Sequence, residues 1–171
     1  MEVIIRDIHY KRPDIFYLYP FFDAHLGAKE VSENALKRKI AECANRGRFG
    51  LALGGGDWMD CITSKDKRWR GSGLADWVEK SNIVDSQKRK CVELFSPLKE
   101  QGQLIAIGTG NHEETIHAKY DEDVIRNLCR DMKVPYAGYQ TFINLRFIRT
   151  GITTHFLTIH SWHGFGAAQT E

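Results

Sequence analysis

Ten residues constrain this chain more than any others: Leu104-Ile105-Ala106-Ile107-Gly108-Thr109-Gly110-Asn111-His112-Glu113. The opening apolar run is of strand length and reads as a buried strand. The small residues after it let the backbone turn sharply. Asn111, His112 and Glu113 are then delivered at the carboxyl end of that strand, where open α/β sheets hold their ligands. An amide, an imidazole and a carboxylate in sequence are poor packing residues. They suit a place where something is coordinated and protonated.

The chain supplies three more strand ends of this kind. Residues 15–19 are apolar and aromatic and predict a buried strand that Pro20 ends. Asp23-Ala24-His25 follows it. Two apart in an extended segment, the carboxylate and the imidazole point to one side, which makes half a metal site. Residues 49–53 predict a second buried strand, followed by Gly54-Gly55-Gly56-Asp57-Trp58-Met59-Asp60. No Gly-Lys-Ser/Thr follows, so the Walker phosphate loop is absent. The glycines are read instead as placing Asp57 where a Cβ would obstruct. Residues 153–159 predict a further strand, ending in His160-Ser161-Trp162-His163-Gly164-Phe165-Gly166.

Any one of these ends, taken alone, is a polar loop. Taken together, Asp23/His25, Asp57, Asn111/His112 and His163 form the donor set of a two-metal centre. In such centres ions about 3.5–4 Å apart share bridging ligands. Oxygen and imidazole donors without thiolates suit Mn²⁺, Fe or Zn²⁺.

Between the strands, helices are expected over 32–45 with Ser32 as N-cap, over 74–80, over 85–101 with Asp85 as cap, and over 122–133 opened by Asp121. Pro97 should kink the third or end it early. Residues 3–5 predict a short edge strand, and 138–148 alternate like a half-exposed antiparallel strand, with Thr150-Gly151 as the turn after it. The stretch 63–73 is basic: Lys65, Lys67, Arg68 and Arg70 surround Trp69. Such a pattern can grip a nucleic-acid backbone and stack a base. A solvated loop anchored by one Trp is the equal alternative.

At 171 residues the chain is expected to be a single domain, 1–171. The 24 basic and 22 acidic residues are well mixed, so net charge alone gives no strong pull toward nucleic acid or membrane. The N-terminus has no signal-peptide pattern. The longest apolar run, 15–22, contains Pro20 and is too short to span a bilayer, so no membrane partner is expected. Cys43, Cys61, Cys91 and Cys129 include no CxxC pair and fit buried thiols in a reducing, cytoplasmic setting, with a reactive Cys61 as the alternative.

The ordered pieces Asp23-Ala24-His25, Gly56-Asp57-Trp58-Met59-Asp60, Gly110-Asn111-His112-Glu113 and His163-Gly164 resemble the calcineurin-like metallophosphoesterases. The resemblance runs from about residue 15 to Gly166 and is similar in flavour to the phage and prophage branch. It implies an α/β fold: a sandwich of two mixed β-sheets flanked by helices, with the site on loops at one end. It implies two divalent ions, Mn²⁺ first and Zn²⁺ or Fe as alternatives. Asp23 and His25 would hold the first ion, Asp57 would bridge, and Asn111 and His163 would hold the second. His112 would protonate the leaving group, Glu113 would orient its neighbours, and Asp60 would support the site from behind. His160 is the alternative to His163. The family's final Gly-His-x-His is missing, which leads to the expectation that the domain continues past Glu171.

The function expected is hydrolysis of a phosphoester, diester or monoester, by metal-activated hydroxide. A nuclease using the same site, with the 65–70 loop as the strand grip, is one alternative. A catalytically weakened binding or scaffold module, motivated by the missing motif, is the other. A phage-encoded protein of this kind would work in the host cytoplasm. Substrate identity and oligomeric state are not legible.

Overall fold

The computed structural model describes residues 2–164. Their elements run β1 (Glu2–His9), β2 (Tyr17–Phe21), α1 (Glu33–Asn45), β3 (Gly50–Gly54), α2 (Ile83–Glu100), β4 (Leu104–Gly108), α3 (Asn111–Tyr120), α4 (Val124–Met132), β5 (Tyr136–Gly138), β6 (Gln140–Arg149) and β7 (Ile152–Trp162). The fold is α/β, with two sheets and four α-helices among the described residues. One sheet, ordered β2-β3-β4-β5, is wholly parallel. The other, β1-β6-β7, is mixed: β1 lies parallel to β6, and β7 antiparallel to it.

Every residue of β3 and β4 is buried. Leu51, Leu53, Ile105 and Ala106 pack with Ile143 and Leu145 of the second sheet. Ala52, Leu104 and Ile107 belong to a separate core with Cys43, Phe95, Leu98 and Leu128 from the helices. Strands covered on both faces need continuous apolar runs, which is what these two sequences are. Each of the Leu, Ile and Phe side chains among these contributes about 1.5–3 kcal/mol when fully buried. The result is three layers: the mixed sheet, the parallel sheet, then helices, with α2 packed against both α1 and α4.

Several expectations need correction. The two sheets are not both mixed, and among the described residues helices cover only one of the two outer faces. The outer face of the mixed sheet exposes Val3 and Phe156, at 55% and 70%. Pro20 does not end β2 but lies inside it. It is tolerated because β2 is an edge strand, where a missing N–H need not remove a ladder bond. Residues 74–80 form no helix; Leu74 bridges Ala28 and packs with Val78 and Ile83 in a small satellite cluster. The cap of α2 is Asn82, and Asp85 sits in the first turn, where a carboxylate meets the positive end of the helix. Pro97 does not end α2 early.

Asp121 is the C-cap of α3 rather than the start of α4, which is capped by the Asp123 side chain on the Arg126 N–H. The strand expected over 138–148 is divided at Gly138, whose φ of 62° lets the chain leave one sheet for the other. β1 is longer than the expected 3–5, and β7 runs on to Trp162. Of the resemblance, Gly166 lies outside the described residues, as does the chain to Glu171. No helix among the described residues is long and apolar enough to cross a membrane.

Candidate metal centre

β2, β3 and β4 are parallel neighbours, so their carboxyl ends open on one edge of the sheet. Asp23 and His25 follow β2, Asp57 follows β3, and Asn111 and His112 follow β4. His163 arrives from the other sheet, one residue past β7. Asp23, His25 and Asp57 are all held at positive φ, between 42° and 51°. Non-glycine residues there cost free energy, and such positions gather at functional sites.

Asp57 is the centre of the arrangement and is 3% exposed. Its Oδ1 accepts the His112 backbone N–H at 2.9 Å. Its Oδ2 lies 3.8 Å from His25 Nε2 on one side and 3.2 Å from His163 Nε2 on the other. His25 Nε2 is also 3.9 Å from Asp23 Oδ1, and His163 Nε2 is 3.1 Å from Asn111 Oδ1. Two donor groups thus share one carboxylate: Asp23, His25 and Asp57, then Asp57, Asn111 and His163. Donor atoms of the first group all lie within 4.8 Å of one another. Hard oxygens with imidazole nitrogens at such spacing fit a divalent ion of the Mn²⁺, Fe or Zn²⁺ type. Burial, followed by the neighbouring His112, holds the His25 imidazole below the usual histidine range, which favours its neutral, ligating form.

His112 belongs to a further grouping, with His25 and Asp60, whose donor atoms also lie within 4.8 Å of one another, and its ring centroid is 4.5 Å from that of His25. Its Nδ1 lies 2.5 Å from the Asp60 carbonyl oxygen and its Nε2 2.9 Å from Arg68 Nη1. A carbonyl only accepts and a guanidinium only donates. The partners therefore assign the proton to Nδ1 and leave Nε2 as acceptor. Asp60 Oδ1 stands 3.6 Å from His112 Nδ1 and 3.9 Å from His25 Nδ1. Burial raises the Asp60 carboxyl, against the pull of His112 and His25.

Glu113 is 1% exposed and holds the loops together. Its Oε2 accepts the backbone N–H groups of Gly110 and Asp57, and its Oε1 accepts that of Met59. Burial pushes this carboxyl up to about 7, against the pull of the Met59 and Gly110 N–H groups. Two glycines are required here. Gly56 has a φ of 117°, and a Cβ on it would meet His163 Nδ1 at 2.7 Å and the Gly110 nitrogen at 2.8 Å. A Cβ on Gly110 would collide with the Asp57 carboxylate.

The remaining expected residues are not brought to the cluster. His160 lies within β7, where its ring stacks on Phe142 and its Nε2 meets Gln140. Trp69 is packed against the satellite cluster of Leu74, Val78 and Ile83. Lys65 lies over the Tyr120 ring, and Lys67 and Arg70 are exposed. The Cys61 thiol is buried, which pushes it well above the ordinary thiol range and removes the reactive alternative.

Sequence reasoning missed three things. Asn111 opens a helix, α3, whose positive end faces the Asp57 carboxylate. The signal was there: a glutamate at the third helical position reaching back to the Gly110 N–H is half of a capping box. Arg68 belongs to the site, not to a detached loop. Asp66, a single acid within a basic run, is 7% exposed and receives Arg68. In comparisons with known proteins, no family, curated protein or solved structure matches this chain.

Proposed function

We propose that this protein is a metal-dependent phosphoester hydrolase of the calcineurin-like metallophosphoesterase kind. The observation that carries the reading is the position of Asp57 Oδ2, shared between His25 Nε2 at 3.8 Å and His163 Nε2 at 3.2 Å. Packing of the two sheets through one core, with the donors at one end of their strands, supports the sandwich that the resemblance implies. When bound, two divalent ions supply Lewis acidity and a nucleophilic hydroxide at neutral pH. Asp23, His25 and Asp57 would hold one, and Asp57, Asn111 and His163 the other.

The chain's own residues have separate tasks. Glu113 fixes the peptide of Asp57 and so aims its carboxylate. The α3 N-terminus occupies Asp57 Oδ1 and leaves Oδ2 for the site. His112, tethered at Nδ1 by the Asp60 carbonyl, turns Nε2 toward Arg68. Once Nε2 has taken up a proton from solvent, it would pass that proton to the departing alkoxide, a role worth about 10²–10⁴-fold in rate.

Calorimetric titration of the protein with Mn²⁺ tests the reading. Binding that is lost in Asp57→Asn and falls by one of two equivalents in His163→Ala supports it. Unchanged binding in both variants removes it.

A further inference from the structure

The basic loop over 65–70 reads in sequence either as a grip for a nucleic-acid strand or as a solvated loop, yet among its cations Arg68 is the one in hydrogen-bond contact with a residue of the cluster. The Arg68 guanidinium is fixed on one side by Asp66: Nε donates to Oδ1 and Nη2 to Oδ2, both at 3.1 Å. Its backbone N–H also donates to Asp66 Oδ1, at 2.9 Å. Asp66 is itself anchored by Lys119, 3.6 Å away. These hydrogen bonds from Arg68 hold the Asp66 carboxyl far below the usual carboxylate range, so it is a fixed anion. Two of the three guanidinium nitrogens are thereby occupied. The third, Nη1, points at His112 Nε2 from 2.9 Å.

A guanidinium clamped to a buried acid has lost most of its rotamer freedom before any ligand arrives. That is how an arginine is prepared to take an oxyanion. Beside Arg68 stand His112 and, behind it, the carboxylates Asp57 and Asp60. The acceptor that Nη1 meets is the imidazole Nε2. A phosphoryl oxygen is a stronger acceptor, because it is charged.

We propose that Arg68, preorganised by Asp66, is the residue that binds the phosphoryl oxygens of the substrate. On this view the 65–70 loop is a phosphate-binding wall of the site rather than a strand grip. The proposal rests on the phosphoester hydrolase reading and deepens it. Nη1 leaves His112 Nε2 for a non-bridging phosphoryl oxygen, and Nε2 is left facing the same phosphate. Asp66 is a positioning residue, since it acts through Arg68. Lys65, Lys67 and Arg70 are dispensable.

The test compares p-nitrophenyl and phenyl esters of phosphate, with Mn²⁺ present and inorganic phosphate as the competing ligand. Arg68→Ala should lower kcat/KM about 10²-fold for both esters. Inhibition by inorganic phosphate should weaken about tenfold, with Mn²⁺ content unchanged. His112→Ala should instead lose more with the poorer leaving group, phenolate, and keep phosphate inhibition. Arg68→Lys, which keeps the charge without the fork, serves should the alanine variant fail to fold, and is expected to lose about tenfold. Asp66→Asn should fall between wild type and Arg68→Ala.

Wild-type turnover with an unaltered folded Arg68 variant overturns the proposal and leaves the hydrolase reading standing. So does a loss that follows the leaving group as in His112→Ala with phosphate inhibition intact, because Arg68 would then act only on His112. A wild-type protein that binds neither Mn²⁺ nor phosphate overturns both.

Discussion

Glu113 Oε2 accepts the backbone N–H of Asp57 at 3.1 Å, across 56 residues of sequence. A buried acid on one loop thus sets the position of the carboxylate on another. The same oxygen accepts the Gly110 N–H, and its partner oxygen the Met59 N–H, so three peptide groups converge on one side chain.

Glu113→Gln tests that convergence. The amide keeps one acceptor oxygen but turns an N–H₂ toward a backbone donor. Opposing donors in a buried site should cost about 1–3 kcal/mol. Metal affinity should fall about 10–100-fold, as when a partner that orients a ligand is lost. Denaturant unfolding and Mn²⁺ titration report the two effects.

His163 and His160 are three positions apart and lie in different surroundings. His163 Nε2 sits between Asp57 and Asn111, while His160 stacks on Phe142. His163→Ala should abolish one of two Mn²⁺ equivalents, with turnover falling by roughly 10³-fold for several kcal/mol of lost charge stabilisation. His160→Ala should leave both within about twofold, as an exposed substitution does. Elemental analysis of the paired variants, with steady-state rates, gives the comparison.

How much of this was legible in sequence follows from the range of each interaction. β3 and β4 were readable because an unbroken apolar run has one economical fate, burial on both faces. The strand ends were readable because their donors are chemically unusual for packing. Pro20 was misread because the rule that Pro ends strands holds for central strands, and sequence does not disclose that β2 is an edge. Residues 74–80 were misread because their spacing of apolar residues matches both a helix face and a loop pinned by Leu74 and Val78. Gly138 marked a change of sheet, a tertiary event invisible to local patterning. Arg68 was grouped with its basic neighbours because nothing local distinguishes it. Its partner His112 is 44 residues away.

Gly56→Ala should damage the site without touching a donor. The left-handed backbone at φ 117° penalises any Cβ, and that Cβ would press on His163 Nδ1. The expected cost is about 1–3 kcal/mol of stability. Weakened Mn²⁺ binding should accompany it, read by thermal unfolding with and without Mn²⁺. Full Mn²⁺ stabilisation retained in the variant would show that His163 does not take part.

The central claim is that this cluster hydrolyses phosphoesters through bound divalent ions. The most direct measurement is hydrolysis of bis-p-nitrophenyl phosphate by metal-stripped protein as Mn²⁺ is restored, with Asp57→Asn alongside. The account predicts turnover that rises with Mn²⁺ toward two equivalents per chain and falls roughly 10³-fold in the variant. Turnover indifferent to Mn²⁺, or equal in wild type and Asp57→Asn, would contradict it, as would two tightly bound ions with no hydrolysis at all.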